Sequence, residues 1–495
     1  MRLALVFNPF KYKVHEENIK IVQKYFGQFP PLSMSWVASI AEQAGHKVII
    51  VDARALELSK EATLDILKSF HPDVMGFMMT TYMFQDTLEW IRFLKSRLKV
   101  PVVVGGYNLR VYPRQSLSHP EIDFGVVEHA YYTLPALFRE MERAVPDFDN
   151  VPGLVFKKNS DIVVTPHPQR IEFDKFPNPA RHLLPNKLYA EFPTERKNFT
   201  VMVTSLGCPF ECQFCEAGQT QYNPRSPQTV INEIEECYRR HGVREIDFFD
   251  YEFTGIRERV LEICRLIGER KIDIGWACRS RVDTVDWELL GAMKKSGCGR
   301  IYFGIESGNQ ELLDGMRKGI KLKQVMTTID MCRQLKIKTL GFFLIGAPGD
   351  NKSSVKKTLQ FAKRLGLDYV QFSKCLAKPL TPLWKQMVKT TGKDYWSDWV
   401  LGKETDKELP RPWTSLSNSD INKITKWAYI NYHARPAHIL KHILTLRSFS
   451  EFKRKFMAFF DMVFSQENEA KACVDFKAFN ENPLNQILRE KEHRP

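Results

Sequence analysis

The chain has 495 residues, of which 43% are hydrophobic and 26% are charged, a composition typical of a globular protein with two to four domains. It contains no run of about 18 apolar residues, which excludes a transmembrane helix. Apart from one triplet, its ten cysteines are scattered, which excludes a disulfide framework and suits a reducing compartment. The formal net charge of +14 favours a nucleic acid, an acidic membrane surface or an anionic substrate as partner, with a basic surface that has no partner as the alternative.

Residues 1–145 alternate between strand and helix patterns. Strands are predicted at 3–7, 47–52, 74–79, 101–106 and 124–127, with helices at 33–44, 62–70, 87–98 and 133–144. This alternation predicts an α/β domain with a doubly wound, Rossmann-like parallel sheet. In such sheets a ligand binds beyond the carboxyl ends of the strands.

Residues 146–197 are predicted to be a linker between domains. A strand follows a turn at 151–156, and 158–161 resembles a hairpin turn. The remainder is rich in proline, which is typical of a connecting segment. The prolines are Pro166, Pro168, Pro177, Pro179 and Pro185.

Residues 198–390 return to alternating strands and helices. Six strands are predicted, at 199–204, 245–250, 275–279, 300–306, 339–346 and 369–373. Polar residues follow the strands at their carboxyl ends, where barrel enzymes assemble their sites. The candidates are Asp250, Glu252, Arg279, Glu306, Gln371 and Ser373.

Three cysteines follow the first of these strands at the spacing C-x3-C-x2-C. They are Cys208, Cys212 and Cys215. Closely spaced thiolates suit an iron–sulfur cluster or zinc. A structural zinc or an electron-transfer cluster normally takes four protein ligands, so three thiolates favour a cluster with one iron open to a substrate or cofactor. A zinc knuckle and three unrelated thiols are the alternatives.

This cysteine loop, with Phe214 directly before the third cysteine, resembles the cluster signature of the radical S-adenosylmethionine (SAM) superfamily. The resemblance implies a [4Fe–4S] cluster whose open iron binds the amino and carboxylate groups of SAM. It also implies that the six strands form a partial (β/α)6 barrel.

Further SAM-binding residues are predicted from the resemblance and from the strand ends. Residues 304–308 read Gly-Ile-Glu-Ser-Gly, the family's element whose carboxylate holds the ribose or amino group of SAM. Arg279 would neutralise the SAM carboxylate, and Gly346 would let the backbone approach adenine. The predicted SAM-binding residues are Phe214, Asp250, Glu252, Arg279, Glu306, Ser307 and Gly346. No catalytic acid, base or radical-quenching residue is identified.

The first domain resembles the cobalamin (B12)-binding domain that precedes many radical SAM barrels. The matching segments are 30–32, 44–48, 72–76 and 104–106. The chain departs from that pattern at Tyr107-Asn108 and at 127–130, and it lacks the Asp-x-His-x-x-Gly motif of other cobalamin proteins. A domain that no longer holds cobalamin therefore stays an alternative. The predicted cobalamin-binding residues are Thr80, Gly105, Gly106, Tyr107, Glu128 and His129.

Residues 391–495 are predicted to form a mostly α-helical C-terminal domain. Residues 427–436 resemble an element of the cobalamin-type radical SAM group that includes hopanoid-biosynthesis enzymes and magnesium-protoporphyrin ester cyclases. From residue 437 onward, phenylalanines and lysines near helical spacing predict a basic amphipathic helix. It would pack on the barrel as a cap or lie on an anionic membrane.

The resemblance implies that SAM is cleaved to a 5′-deoxyadenosyl radical, which abstracts hydrogen from an unactivated carbon. With cobalamin present, the predicted reaction is methyl transfer to such a carbon of a hydrophobic or amphiphilic small molecule or lipid. The alternative is a non-methylating reaction, such as oxidative cyclisation, ring modification or carbon–carbon coupling, on a lipid or tetrapyrrole. A non-catalytic binding protein with this fold is a further alternative, which the cysteine triplet and Glu306 disfavour.

The predicted partners are a small molecule or lipid and an external one-electron reductant of the flavodoxin or ferredoxin type. Nucleic acid is disfavoured, because RNA-modifying methylthiotransferases carry cluster cysteines in their N-terminal domain and no cysteine precedes Cys208 here. The predicted location is cytoplasmic, and a peripheral contact with the inner face of an anionic membrane is left open.

Overall fold

The structure is a computed structural model that describes residues 1–10, 27–167, 171–191, 193–403, 409–436 and 439–440. In these ranges no helix is long and apolar enough to cross a membrane. The basic amphipathic helix predicted from residue 437 onward lies almost entirely outside the described residues.

The first domain is built on a sheet that carries helices on both faces. The strands of the domain are β1 (Arg2–Phe7), β2 (Gly27–Gln28), β3 (Lys47–Asp52), β4 (Val74–Met78), β5 (Val102–Gly105), β6 (Phe124–Val126), β7 (Leu154–Lys158) and β8 (Asp161–Val164), and all but β2 belong to this sheet. Its helices are α1 (Leu32–Gln43), α2 (Lys60–Phe70), α3 (Phe84–Leu98), α4 (Tyr107–Val111), α5 (Pro113–Leu117) and α6 (Ala130–Met141).

The order of strands in the sheet is β3-β1-β4-β5-β6-β7-β8, and the first five are parallel. This is the doubly wound sheet that the sequence predicts. Strand β7 pairs with β6 in antiparallel fashion, and β8 returns as a hairpin. The sheet therefore extends to Val164, into the segment predicted as a linker, because the apolar run at the start of β7 covers the free edge of β6.

The rest of the linker crosses to the second domain in short turns. One-turn 3₁₀ helices occur at Phe173–Lys175, Arg181–Leu183 and Asn186–Leu188, and β9 (Ala190–Glu191) pairs with β2. Arg181 is completely enclosed here and forms an ion pair with Glu233, with Nη2 and Oε1 2.7 Å apart. Such a buried charge needs a close partner, so the linker is fixed against the barrel.

The second domain holds six parallel strands with helices on the outer face. Its elements are β10 (Phe199–Met202), β11 (Ser205–Leu206), β12 (Asn223–Pro224), α7 (Pro227–Arg240), β13 (Glu245–Phe248), α8 (Arg257–Glu269), β14 (Gly275–Ser280), α9 (Trp287–Lys295), β15 (Cys298–Glu306), α10 (Gln310–Gly315), α11 (Leu322–Gln334), β16 (Lys338–Ile345), α12 (Lys352–Leu365) and β17 (Tyr369–Lys374).

The six strands lie in the order β10-β13-β14-β15-β16-β17, so each predicted strand is a neighbour of the next along the chain. Side chains alternate along each strand. Phe248, Cys278 and Phe303 pack outward against the helices in the large core, whereas Tyr302 and Leu340 belong to a separate small cluster on the inner face. The sheet is thus the predicted partial barrel, with its own interior.

Three helices complete the described part of the C-terminal region, which is helical as predicted. They are α13 (Pro382–Thr391), α14 (Tyr395–Val400) and α15 (Asn418–His433). Helix α15 covers β17, where the Phe372 amide donates a 3.0 Å hydrogen bond to Oη of Tyr429. Helix α14 contacts the first domain, where Nε1 of Trp399 donates to the Thr81 carbonyl at 2.8 Å.

Candidate active site

The three cysteines lie in the loop that joins β11 to β12. These short strands pair with each other and close the base of the loop. Gly207, at the loop's start, has φ of +65°, and a Cβ there would collide with the Thr220 carbonyl, so the turn requires glycine. All three cysteines are free thiols, and burial raises the pKa of Cys208 to about 11. The loop therefore presents three unpaired thiols within eight residues.

Asp250 supports this loop from β13's carboxyl end. Its Oδ1 accepts a hydrogen bond from the Ser205 amide at 3.1 Å, and both oxygens bind Thr204. Arg259 adds a bond from Nη2 to the Thr204 carbonyl at 3.0 Å. Asp250 is completely buried, and burial raises its pKa. The Asp250 carboxylate thus holds Thr204 and Ser205, through which the chain enters the cysteine loop.

Glu252 lies on the other side of the same loop. Its Oε1 accepts hydrogen bonds from Thr254 Oγ1 at 2.6 Å and from Thr284 Oγ1 at 3.1 Å. Its Oε2 is buried and has no partner among the described residues, as is also true of the Tyr222 hydroxyl nearby. A Cβ placed on Gly255 would lie within 3.5 Å of Glu252, Tyr222 and Pro209 alike. Glu252 therefore offers an oxygen beside the cysteine loop.

Glu306 ends β15 in a left-handed conformation, with φ of +67°. Its Oε1 lies 2.9 Å from Nζ of Lys318, and both side chains are buried. A Cβ at Gly304 would lie 2.6 Å from that carboxylate and 2.7 Å from the ammonium, so glycine makes room for the pair. The strained backbone aims the Glu306 carboxylate toward Lys318 and the Cys212 side of the loop.

The remaining predicted SAM-binding residues are placed as follows. Ser307 accepts from the Asn309 amide at 3.1 Å and contacts Thr358, so it shapes the turn after β15. Phe214 is half-buried against the barrel core. Gly346 has φ of +76°, and a Cβ there would meet Ile421 at 2.6 Å. Gly346 thus lets α15 approach β16 closely.

Arg279 lies inside the barrel and is paired within the chain. Its guanidinium donates to both carboxylate oxygens of Asp247, at 2.7 and 3.1 Å, and stacks 3.8 Å from the Phe249 ring centroid. Its side chain is 19% exposed. Asp247 already neutralises the positive charge that was predicted to meet the SAM carboxylate.

Sequence reasoning does not select the charged residues that lie below Arg279 in the barrel. Tyr302 Oη donates to Glu191 at 2.7 Å, and Arg300 donates to the same carboxylate at 3.2 Å. Three of these residues could have been found from the sequence, because side chains alternate between the two faces along β13 and β15. That alternation assigns Asp247, Arg300 and Tyr302 to the inner face. No sequence signal places Glu191 there, because it comes from β9 in the linker.

The predicted cobalamin-binding residues follow the carboxyl ends of β4, β5 and β6. Thr80 Oγ1 accepts from the Met83 amide at 3.3 Å. Gly105 ends β5, and Gly106 has φ of +115°, with its Cβ position 2.7 Å from the Met79 carbonyl. Tyr107 begins α4, and its hydroxyl donates to the Pro379 carbonyl at 3.2 Å. These four residues therefore line one edge of the first sheet.

Glu128 and His129 lie at the end of β6 on the same edge. Oε1 of Glu128 lies 3.7 Å from Nε of Arg110, and its Oε2 lies 3.6 Å from Nδ1 of His167. His129 packs edge-on against the Phe176 ring of the linker, with ring centroids 6.0 Å apart. Burial lowers the pKa of His129, so the imidazole is neutral at physiological pH.

This edge of the first domain meets the cysteine loop. Arg110 donates from Nη2 to the Gln219 carbonyl at 2.7 Å and also bonds Thr220. Burial raises the pKa of Tyr107, and the carboxylate of Glu216 and the thiol of Cys215 add to the shift. Tyr251, which is 54% exposed, lies within electrostatic reach of the same two groups. Sequence reasoning does not select Tyr251 or Arg110.

Comparison with known proteins identifies the family. A model of the radical SAM superfamily matches residues 202–362, and a model of the B12 binding domain matches residues 19–138. An uncharacterised methyltransferase of Pyrococcus horikoshii is 30% identical over 456 residues, which cover 91% of this chain and 96% of that protein. The chain belongs to the radical SAM enzymes that carry a B12-binding domain.

Two further proteins are similar to this chain. Anaerobic magnesium-protoporphyrin IX monomethyl ester cyclase of Rubrivivax gelatinosus is 24% identical over 372 residues, covering 73% of this chain and 67% of the cyclase. The fold matches the methyltransferase TsrM from Kitasatospora setae, solved with cobalamin and a [4Fe–4S] cluster, with a TM-score of 0.67 and 16% identity over 92% of this chain and 99% of TsrM. The predicted succession of B12-binding-type domain and partial barrel is confirmed.

The cysteine loop of this radical SAM chain fits a [4Fe–4S] cluster. It supplies three free thiols, and the cations Lys318 and Arg281 lie close enough to Cys212 to counteract the rise in its pKa that burial causes. Thiolate-bound clusters favour such positive surroundings. No three His, Cys, Asp or Glu side chains of the described ranges converge on one point as ligands of a single metal ion do.

SAM and cobalamin also find suitable groups in this radical SAM chain. Beside the cysteine loop, Glu252 Oε2 and Ser205 Oγ are buried without partners among the described residues. At the edge of the first sheet, the same holds for Oδ1 of Asn8, Oγ1 of Thr81 and Oδ1 of Asn108. Buried polar atoms normally have partners, so polar groups of bound cofactors would satisfy these atoms.

Proposed function

We propose that the chain is a cobalamin-dependent radical SAM methyltransferase that acts on an unactivated carbon of a small molecule. The observation that carries this proposal is the contact between the two candidate cofactor sites. Arg110 and Tyr107 follow the glycines of the B12-binding-type domain, and Arg110 bonds directly to the cysteine loop. A methyl carrier on that edge would lie beside SAM on the cluster. The 30% identical methyltransferase relative supports the same reaction.

When bound, a [4Fe–4S] cluster with SAM would supply radical chemistry, and cobalamin would supply a carrier for the methyl group. The chain's residues hold and orient them. Cys208, Cys212 and Cys215 ligate the cluster, and Asp250 fixes the strand end that precedes them. Glu252 binds SAM through its unpaired oxygen.

The Glu306–Lys318 pair supplies a second polar contact for SAM near Cys212, and Ser307 keeps that turn in shape. Arg279 and Gly346 would act on SAM indirectly, by shaping the barrel and its cover. The Arg279 guanidinium is hydrogen-bonded to Asp247. The Gly346 amide donates to Asp350, and the Gly346 carbonyl accepts from Trp413. Phe214 packs beside the third cysteine.

The edge of the first sheet would face the corrin of cobalamin. The residues along it are Thr80, Gly105, Gly106, Tyr107, Glu128 and His129.

The substrate that we propose is hydrophobic or amphiphilic. Aromatic rings on the barrel's inner face support an apolar portion of the substrate, because Tyr302 and Phe342 stack with ring centroids 6.1 Å apart and Phe249 lies against Arg279. The charged groups on the same face suit a polar portion. An external low-potential protein of the flavodoxin or ferredoxin type would supply the electron. A peripheral membrane contact would use the basic segment beyond residue 440.

The similarity to the magnesium-protoporphyrin ester cyclase favours one alternative. In that case the same radical modifies a ring or forms a carbon–carbon bond, and no methyl group is transferred. The two reactions share every residue proposed above for the cluster and SAM. They differ in whether the methyl group of SAM appears in the product.

The test is isotope transfer by anaerobically reconstituted protein loaded with cluster and hydroxocobalamin. The protein is incubated with trideuteromethyl SAM, a chemical one-electron reductant and a lipid and small-molecule extract. We expect 5′-deoxyadenosine and a product heavier by the labelled methyl group, and neither from Cys212→Ala protein. Deoxyadenosine together with an unlabelled product and no bound cobalamin would establish the non-methylating alternative.

A further inference from the structure

Arg281 lies directly after β14 and reaches the cysteine loop. Its side chain is buried, and its Nη1 lies 3.9 Å from Sγ of Cys212. Its guanidinium carbon lies 3.8 Å from the ring centroid of Phe210, which stands between the first two cysteines. Arg281 thus contacts both the middle cysteine and the loop segment that leads to it.

Two other groups fix the orientation of this guanidinium through three hydrogen bonds. Asp283 accepts from Nε at 2.9 Å and from Nη2 at 2.8 Å, and the Lys318 carbonyl accepts from Nη2 at 2.6 Å. A planar guanidinium held through two of its nitrogens has little freedom left. The third nitrogen, Nη1, is therefore directed at the Cys212 sulfur.

A second cation lies on the same side of the loop. The buried ammonium of Lys318 is paired with Glu306, and its turn is tied to the loop by the Gln213 amide, which donates to the Met316 carbonyl at 3.1 Å. This bond joins the cysteine loop to the turn before Lys318. Among the side chains around Cys212, Arg281 directs an N–H group at the sulfur, through Nη1.

From this geometry we propose that Arg281 sets the reduction potential of the cluster by donating an N–H···S hydrogen bond to the Cys212 thiolate. This inference rests on the proposed cluster and goes beyond it, because it assigns a positioning and tuning role to a residue outside the cysteine motif. One electron from an external donor reduces the [4Fe–4S]²⁺ cluster to [4Fe–4S]⁺, and no bond is made or broken in this step.

The physical reason is electrostatic. The added electron increases the negative charge that the cluster and its thiolates carry. A hydrogen bond to a ligating sulfur and a nearby cation both stabilise that reduced form and raise the potential. Burial strengthens the effect, because little water screens the guanidinium from the sulfur. Asp283 opposes it, since its carboxylate lies on the far side of the same guanidinium.

The experiment is a redox titration of the reconstituted cluster, followed by electron paramagnetic resonance without SAM or cobalamin. Replacing Arg281 by Gln should lower the equilibrium constant for reduction about tenfold, which is about 59 mV for a one-electron couple. Arg281→Lys, which keeps the charge and loses the planar fork, should fall between Gln and the native residue. Asp283→Asn should shift the potential upward.

The opposite signs separate tuning from mere support of the fold, since a structural defect would not raise the potential in one variant and lower it in another. Iron and sulfide content verifies cluster loading, and Arg257→Gln, which removes a half-buried arginine paired with Asp286, is the control. An Arg281→Gln protein with full cluster and native potential overturns the proposal. If Gln prevents cluster binding, the Lys and Asp283→Asn proteins decide it, and native potentials in both overturn it. The redox titration does not measure methyl transfer. Its outcome therefore stands even if the methylation assay of the proposed function fails.

Discussion

Glu191 lies at the floor of the barrel among charged and phenolic groups. Its carboxylate accepts from Tyr302 and Arg300, and Arg300 lies 3.5 Å from Glu245 as well. Burial raises the pKa of Glu191 to about 8, the charge of Asp247 adds to the shift, and Arg300 and Arg279 oppose it. Burial among these groups thus moves the pKa of Glu191 from the acidic range to the neutral side of the pH scale.

This shift predicts a specific pH dependence of stability. Between the ordinary value of 4.5 and about 8, the folded chain keeps a proton that the unfolded chain has lost, so the free energy of unfolding falls as pH rises through this window. Glu191→Gln should flatten that decline and stabilise the protein at pH 8 by about 1–3 kcal/mol. Urea midpoints of the apo chain from pH 5 to 8 measure it.

Glu195→Gln is the control, because Glu195 pairs with Lys338 at the surface and should leave the pH dependence unchanged. An identical slope for native and Glu191→Gln protein would contradict the prediction. Such a result would mean that Arg300 keeps the Glu191 carboxylate ionised throughout the range.

Single residues also show where sequence reasoning reaches its limit. The cysteine loop and Glu306 could be selected from the sequence because their spacing and local motif carry the chemistry, and their roles as cluster and SAM ligands stay predictions. Arg279 was chosen as a strand-end cation, yet Arg281, two residues later, is the one that reaches Cys212. The side chain of Arg279 points into the barrel, and only the position at which β14 ends decides which arginine meets the loop.

At the scale of elements, α15 satisfies the free edge of the partial barrel. The buried Phe372 amide in β17 donates to Tyr429 Oη at 3.0 Å, and Tyr432 Oη donates to the Leu367 carbonyl at 2.9 Å. A sheet that does not close leaves such groups unpaired unless another element covers them. Helix α15 is therefore part of the barrel's structure.

Removing one hydroxyl tests this role. Tyr429→Phe keeps the ring packing, in which the Phe372 and Tyr429 centroids are 5.4 Å apart, and leaves the Phe372 amide without an acceptor. We expect a loss of about 1–3 kcal/mol in the free energy of unfolding and faster hydrogen exchange at Phe372. Lys423→Ala on the exposed face of α15 is the matched control. Unchanged exchange at Phe372 would argue against the edge-covering role.

Elements were predicted well where a buried run is long and regular, as in all six barrel strands. The pairing of short elements was not predictable. The predicted strand at 151–156 is present as β7, but its neighbour is decided by contact with β6, so the first sheet includes residues 154–164 of the segment 146–197 that was predicted as a linker. Pairing across a chain depends on tertiary contacts that local patterns do not contain.

At the scale of the whole molecule, the two cofactor sites depend on how the first domain sits against the barrel. Tyr112 Oη lies 3.0 Å from both carboxylate oxygens of Asp394, and Trp399 Nε1 donates to the Thr81 carbonyl. Gln85 donates to the Trp399 carbonyl at 2.6 Å. These bonds join the carboxyl edge of the first sheet to α14 and to Asp394, the residue that caps the start of α14.

Loosening these bonds should open the interface before either domain unfolds. In the double variant Tyr112→Phe and Trp399→Phe, two interdomain hydrogen bonds are lost, and each position keeps an aromatic ring, which at 399 is smaller than the indole. Each buried partner left unsatisfied costs about 1–3 kcal/mol, and that cost falls on the docked state alone. We therefore expect hydrogen exchange to accelerate in 107–119 and 379–400, with the six barrel strands as protected as before, because separate cooperative units open independently. Mass spectrometry of the exchanged protein measures this, with Trp287→Phe at an exposed site as the control. Equal acceleration throughout the barrel would show that the two domains unfold as one unit.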